Sequence, residues 1–483
     1  MADTYESELT EWIDNEKQAL ELLNTGSNLQ FEKSVELVLF RRKVFDKKIS
    51  EIINDHVYGA KFSGQAVTLA LSNNIARAIA KLNLAPSRID LGRLSKEWLE
   101  EGAKFDNNYD SFVAEKLKDL TGGERKVLKP RDVVLYGFGR IGRLAARILI
   151  EHSGSGQQLR LKGIVTREKS TDDLDKRASL LRKDSVHGKM AGVVEADKEN
   201  GAIVINGHMV KMISANSPTE IDYTQYGIND ALVIDNTGVW RDEAGLGQHL
   251  QAKGADMVLF TAPGKGELPN IVYGVNHENF KGESGKIYTA ASCTTNAIVP
   301  VIKVIEDTLG IEQGHIETVH AYTNDQNLLD NYHKKERRGR SAPNNMVITE
   351  TGAGKAVTKV FPHMKGKLTS NAVRVPVPNV SLAILSLTVK KKTSIEEVNK
   401  VLRDAALYGN LVEQIDFSTS TELVSSDVVG NSHACEIDSK ATIVSEDGHR
   451  VVIYAWYDNE YGYTCQVIRL AKHLAGVRRL VYY

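Results

Sequence analysis

The chain has 483 residues, 61 basic against 62 acidic, for a formal net charge of −1. That length holds about two to four domains with sizeable cores, and the charge balance excludes a dominant nucleic-acid footprint or a polyanionic tail. Three cysteines, Cys293, Cys435 and Cys465, make no disulfide framework, so a reducing cytoplasmic setting is expected. The acidic start MADTYESELTEWIDNEKQ lacks the basic and apolar parts of a secretory signal, and no stretch approaches the apolar length of a membrane span.

In chain order, residues 1–128 read as a helical extension. Apolar and charged residues mix at helical spacing over 20–23, 34–40, 65–80 and 112–117, which predicts several short helices. Glycines and charges at 121–125 mark a linker. No catalytic motif falls inside the extension, which leaves a docking or oligomerisation module and a purely structural cap both open. Residues 129–292 change texture. A short buried strand at 133–136 is followed by glycines, a helical run at 144–150, and further strand-like runs at 159–165, 203–205, 231–234 and 257–260. This alternation predicts an open α/β sheet. Residues 293–458 carry long β-rich runs at 373–377, 381–389 and 451–456, expected to form a mixed α+β domain with strands wide enough to pack on a neighbouring subunit. Residues 459–483 are expected to be a C-terminal helix returning to the α/β domain.

The first motif is Gly137-Phe138-Gly139-Arg140-Ile141-Gly142. Gly137 permits a tight turn, Gly139 lets a pyrophosphate meet bare backbone, and Gly142 permits close helix–strand packing. The spacing is weak evidence alone and gains force from its place between a strand and a helix. The next strand ends at Thr166-Arg167, where an acidic residue would hold the adenosine ribose; hydroxyls and a cation there favour a 2′-phosphate. Glu168 is the alternative, taking the acidic role after a slight shift.

The second motif is Ala291-Ser292-Cys293-Thr294-Thr295-Asn296, one thiol among small hydroxyl side chains just before an apolar helical run. A free thiol has a pKa of about 8.5, and a helix N-terminus with an imidazole enlarges its thiolate fraction. The bland reading, a buried structural cysteine, suits Cys435 and Cys465 better, because polar residues flank Cys293 on both sides. His320, in the strand-like segment 316–323, can supply the imidazole. Basic or donor-rich segments at 334–340, 351–355 and Arg374 can hold phosphate. Together these residues read as covalent oxidation of a phosphorylated aldehyde with a nicotinamide acceptor.

From about residue 131 onward the chain resembles phosphorylating glyceraldehyde-3-phosphate dehydrogenase. The matching words include YGFGRIGR (136–143), KDSVHGK (183–189), NTGVW (236–240), ASCTTN (291–296), TVHAYT (318–323), TGAGKAV (351–357) and WYDNEYGY (456–463). The resemblance implies a Rossmann-type dinucleotide-binding domain beside a mixed α+β catalytic domain. It makes Cys293 the catalytic thiol and His320 its base. Thr323, Asp325 and Arg374 are implied for the substrate's C3 phosphate, and Ser292, Thr294, Arg338, Thr351 and Gly352 for inorganic phosphate. The cofactor would be held by Gly137, Phe138, Gly139, Arg140, Ile141, Gly142, Thr166, Arg167, Thr237 and Thr261, with Asn459 orienting the nicotinamide and Tyr463 in the same wall. A homotetramer is implied; no metal, membrane or nucleic acid is.

Two departures from the family stand out. Thr166-Arg167 replaces an Asn-Asp pair, and Asn331-Tyr332 replaces a Leu-Pro pair, so NADP or dual NAD(P) use is expected. The extension before residue 131 is the other. Two rivals remain: an erythrose-4-phosphate dehydrogenase, which the second anion set disfavours, and a catalytically silent scaffold, which retention of Cys293, His320 and Asn459 disfavours.

Overall fold

A computed structural model describes residues 4–122, 128–154, 156–167 and 173–483, with the side chains of 61–63 excepted. Glu168, and Gly123, Glu124 and Arg125 of the expected linker, lie outside the described residues. The chain divides into two units. The first comprises residues 1–129, 154–158 and 477–483, and the second comprises 130–153 and 159–476.

The first unit contains helices Thr4–Lys33, Ile49–Ser63, Leu69–Lys81, Leu91–Glu101 and Tyr109–Lys116. Three of their starts are set by side chains that accept orphan backbone N–H groups: Thr68, Asp90 and Asn108. Leu22, Ile75, Ile79, Ile89, Leu91 and Phe112 lie fully buried in its core. Two expectations need correction here. Residues 34–40 are not helical: Glu36–Leu39 is a strand that turns tightly through Phe40 and Arg41, both at positive φ, into strand Arg42–Lys43. The helical reading needed a polar face in water, but Val35, Leu37, Val38 and Leu39 are all buried and Glu36 pairs with Arg479 at 3.1 Å. Burial on both faces selects a strand.

The second correction concerns the C-terminus. Only Tyr461–Leu474 is helical, and it packs on helix Arg140–Glu151. Leu480–Tyr482 is instead a strand of the first unit, parallel to Ser87–Asp90, in a sheet ordered Arg42–Lys43, Glu36–Leu39, Ser87–Asp90, Leu480–Tyr482. The extension is therefore helical with a four-stranded sheet, and its last strand comes from the far end of the chain.

The second unit holds the two sheets that build the site. One has eight strands, ordered Ile287–Thr289, Ala255–Phe260, Ala231–Asp235, Arg131–Tyr136, Leu159–Thr166, His208–Ser214, Ala202–Ile205 and Val194–Asp197. The first six run parallel. The strand order reverses between Arg131–Tyr136 and Ala231–Asp235, and in open α/β sheets ligands bind beyond the carboxyl ends of the strands at such a switch point. The other sheet runs Val347–Thr349, Leu368–Val375, Ile311–Ala321, Ser381–Val389, Arg450–Tyr457, Cys435–Asp438, Ile415–Ser418, with Ile443–Val444 also on Arg450–Tyr457. Alternate residues of Ser381–Val389 are buried, as a sheet with one core face requires. Among the described residues no helix is long and apolar enough to cross a membrane.

Candidate active site

Cys293 is the first residue of helix Cys293–Thr308. Ser292 caps the helix: its Oγ accepts the Thr295 N–H at 3.0 Å and lies 2.7 Å from Thr295 Oγ1. The residue before the cap, Ala291, sits at φ +54°, a costly conformation for a residue with a Cβ. It is held in place as its carbonyl accepts the Tyr463 hydroxyl at 2.9 Å. The sulfur is half-buried where the helix leaves backbone donors unpaired, which favours negative charge.

His320, near the end of strand Ile311–Ala321, places Nε2 3.7 Å from the Cys293 sulfur. With its proton on Nδ1, the ring donates to the Ala321 carbonyl at 2.7 Å and leaves Nε2 to accept from the thiol. Arg374 Nη1 donates to the same carbonyl at 2.9 Å and approaches His320 Nδ1 at 2.8 Å. Burial pushes the His320 pKa down to about 3, and the Arg374 charge adds to this. Burial raises the Cys293 thiol, while Arg374 and Thr294 pull it down. The resting pair is thus uncharged, with the imidazole free to take a proton. The Cys435 thiol is raised by burial and by the charges of Asp416 and Glu436.

The dinucleotide loop lies at the end of strand Arg131–Tyr136. Gly137 has φ +95°, and a Cβ there would meet the Thr237 methyl at 2.9 Å. A Cβ on Gly142 would stand 2.3 Å from the Gly137 carbonyl oxygen, so only glycine permits this approach of helix to loop. Gly139 faces open space, and helix Arg140–Glu151 has no side-chain N-cap. Bare backbone and orphan donors fit a pyrophosphate. Phe138 is buried and Ile141 half-buried beside them.

Thr237 and Thr261 share one buried anchor. Asp235 Oδ1 accepts both the N–H and the hydroxyl of Thr237 at 2.7 Å, its carbonyl accepts the Thr261 hydroxyl at 3.0 Å, and Oδ2 meets His249 Nε2 at 3.0 Å. Thr166, half-buried, ends strand Leu159–Thr166. Arg167 is exposed and near enough to act electrostatically on the Tyr136 phenol, which burial raises to about 12. Asn331 and Tyr332 are exposed. Asn459 is buried, and its Oδ1 accepts the Ser381 hydroxyl at 2.8 Å.

The anion residues gather only in part. Arg338, Thr351 and Gly352 line one cleft of about 780 Å³ with Lys335, Arg337 and Lys355. Ser292 and Thr294 do not line it. The Thr294 hydroxyl is buried 3.0 Å from Tyr457 OH. Asp325, assigned with Arg374 to one anion, is ion-paired with Arg338, assigned to the other. Thr323 is half-buried, and its carbonyl accepts the Gln326 N–H.

Sequence reading missed the Ala321 carbonyl, Ser381, Tyr457 and Asp235, whose roles are contacts across strands and carry no local signal. It also gave no role to His277, Glu278 and His473, whose potential ligand atoms lie within 4.8 Å of one another. His277 Nδ1 accepts the Gly274 N–H, its Nε2 meets Glu278 at 3.0 Å, and His473 Nε2 donates to the Phe280 carbonyl, so internal hydrogen bonds account for this cluster.

Residues 131–243 match the family described as Glyceraldehyde 3-phosphate dehydrogenase, NAD binding domain, and residues 292–459 match its C-terminal domain. The chain is 51% identical over 439 residues to a Glyceraldehyde-3-phosphate dehydrogenase-like protein of Pseudomonas aeruginosa (strain UCBPP-PA14), covering 90% of this chain and 94% of that protein. A match over 90% of the chain reaches well into the N-terminal extension. Glyceraldehyde-3-phosphate dehydrogenase 2 of Bacillus subtilis (strain 168) is 40% identical over 71% of this chain and 96% of its own length. Glyceraldehyde-3-phosphate dehydrogenase A, chloroplastic, of Zea mays is 42% identical over 70% of this chain and 81% of its own.

Proposed function

The chain belongs to the phosphorylating glyceraldehyde-3-phosphate dehydrogenase family, and from that premise we propose that it oxidises D-glyceraldehyde 3-phosphate reversibly to 1,3-bisphosphoglycerate through a thioester on Cys293. The observation that carries this reading is the half-buried thiol at a helix N-terminus, 3.7 Å from an imidazole whose other nitrogen is anchored. His320 Nε2 takes the Cys293 proton as the sulfur bonds to the aldehyde carbon, giving a hemithioacetal. The imidazolium and the Cys293 backbone N–H stabilise the oxyanion. A bound nicotinamide dinucleotide supplies the acceptor for the hydride whose departure leaves the thioester. Inorganic phosphate enters through the cleft of Arg338, Thr351 and Gly352, attacks the thioester carbon and breaks its bond to sulfur, its own proton passing to solvent; Cys293 leaves as the thiolate and regains its proton from His320.

Arg374 holds the substrate's C3 phosphate, with Thr323 beside it. Gly137 to Gly142 hold the pyrophosphate, Thr237 and Thr261 the adenosine end, and Asn459 the nicotinamide. Arg167 in place of an acid removes the repulsion that would exclude a 2′-phosphate, which supports NADP or dual use. A homotetramer is supported by the outer face of the long strands, where Leu382 pairs with Trp456 and Ile384 with Tyr454, all half-buried. A steady-state assay of the purified chain with glyceraldehyde 3-phosphate and phosphate, against NAD and NADP in turn, tests the reading. Phosphate-dependent reduction of at least NADP is expected. Turnover indifferent to phosphate would reject the phosphorylating reaction, and activity with NAD alone would reject the cofactor assignment.

A further inference from the structure

Arg140 is the first residue of helix Arg140–Glu151, where a pyrophosphate ligand is expected, yet four of the five N–H groups of its guanidinium are engaged elsewhere. Nε and Nη2 both meet the Glu460 carboxylate at 2.5 Å. Nη1 and Nη2 donate to Asp184 at 3.0 and 3.1 Å. Two forked pairs use the planar donor set on both sides, a geometry available to arginine and not to lysine. Asp184 is itself fixed, accepting the N–H groups of Val186 and His187, each at 2.9 Å. The His187 ring returns to the same carboxylate, with Nε2 3.2 Å from Glu460 Oε2.

Glu460 directly follows Asn459. On Asn459's other side, Asp458 accepts the N–H groups of Glu460 and Tyr461 at 3.0 and 2.8 Å and caps the C-terminal helix. Asn459 therefore sits between two anchored carboxylates, and its Oδ1 accepts the Ser381 hydroxyl at 2.8 Å, leaving Nδ2 without a partner among the described residues. The network joins the dinucleotide loop to this amide across 320 residues of chain.

We infer that Arg140, Asp184, His187 and Glu460 are positioning residues that hold the Asn459 amide for the nicotinamide, and that Arg140 does not itself bind the pyrophosphate. The inference rests on the assignment of Asn459 proposed above. Fixing the amide in place lowers the ordering cost of binding the nicotinamide ring, while the pyrophosphate relies on backbone donors of Gly139 to Ile141.

The test compares equilibrium binding of two probes to the full chain: NAD, and ADP-ribose, which has the pyrophosphate and adenosine but no nicotinamide. E460Q should weaken NAD about three- to tenfold, the scale of one hydrogen bond, and leave ADP-ribose unchanged. It should also lower kcat and raise the isotope effect from substrate deuterated at the aldehyde carbon, both effects vanishing in an N459A background. R140K, which keeps the charge but loses the fork, should behave alike and reports if E460Q does not fold. Equal weakening of both probes would show that the network serves the pyrophosphate and would overturn the inference. So would full additivity with N459A. If N459A alone binds NAD and turns over normally, the Asn459 assignment fails and takes this inference with it.

Discussion

The N-terminal unit and the dehydrogenase unit both bury polar side chains, and both leave some buried atoms without a partner among the described residues, Ser87 Oγ and Ser95 Oγ in the first and Arg374 Nε in the second; what differs is that in the second they gather beside a thiol. In the first, the Asp90 carboxylate accepts the N–H groups of Phe40, Arg41, Gly92 and Arg93 and pairs with Arg41. His56 uses both ring nitrogens, on the Ile52 carbonyl and the Ser72 hydroxyl. In the second, among the described residues, Arg374 Nε is buried with no partner, Asn459 is hydrogen-bonded through its Oδ1 alone, and His320 Nε2 faces a sulfur 3.7 Å away. Groups satisfied within the chain hold a fold together; groups left open toward a cleft are available to a ligand. Asp90 and His56 serve the fold of the first unit, and the open groups beside Cys293 are where a ligand can be held.

The largest test of that division is at the thiol. C293S should lower turnover by about 10⁴-fold or more while leaving dinucleotide binding and thermal melting nearly unchanged. Iodoacetamide should label Cys293 before Cys435 or Cys465, as mass spectrometry would show. Normal turnover by C293S would remove the nucleophile assignment.

H320N should slow turnover by about 10²- to 10⁴-fold and move Cys293 alkylation to higher pH; an unchanged alkylation profile would leave activation to the helix terminus, Arg374 and Thr294. Because the buried ring titrates near 3 rather than 6.5, the unfolded chain binds one more proton between those values. Stability therefore falls as pH is lowered through that window. Acid unfolding followed by circular dichroism should show H320N losing part of this dependence.

In the first unit, D90A removes the acceptor of four N–H groups, three of them buried, and a carboxylate partner of Arg41, and should destabilise that unit by about 3–5 kcal/mol in denaturant titrations. Turnover should survive. A chain of residues 130–476 should likewise keep the cofactor fold and at least part of its activity. A chain starting at 130 but ending at 483 should be less soluble, because strand Leu480–Tyr482 then has no sheet to join. Loss of all activity in a folded, tetrameric 130–476 chain would mean that the extension takes part in the chemistry.

Within the active unit, R338A should raise the KM for inorganic phosphate more than that for the triose phosphate. R374A should affect the triose phosphate and also kcat, since Arg374 touches the carbonyl that anchors His320. Equal effects of both variants on both ligands would reject the two-pocket assignment, although the Asp325–Arg338 pair predicts some cross-talk. The smallest expected effect is at Arg167: R167D should shift cofactor preference toward NAD, and an unchanged ratio of kcat/KM values would place the selectivity elsewhere.

What the sequence made legible follows from how local each feature is. Gly137, Gly139 and Gly142 are constrained by a turn and a helix start within six residues of one another, so their spacing carries the meaning. Cys293 announces itself because Ser292 caps the helix it opens. The run 34–40 departs from its helical expectation because a short apolar run carrying one charge fits either period until both its faces are known to be covered. Leu480–Tyr482 was assigned to the wrong unit because a three-residue strand contains no information about which edge it will join.

By itself, then, the sequence determined the loop that can hold a dinucleotide, the thiol, the histidine and the supply of phosphate-binding side chains. Tertiary structure decided the pairings: His320 and Arg374 on one carbonyl, Asp325 with Arg338, Arg140 with Glu460, and the C-terminal strand in the N-terminal sheet. The physical reason is distance along the chain. A cap or a glycine turn is fixed by neighbours a few residues away, whereas a guanidinium and a carboxylate 320 residues apart meet only because two sheets and a terminal helix bring them there.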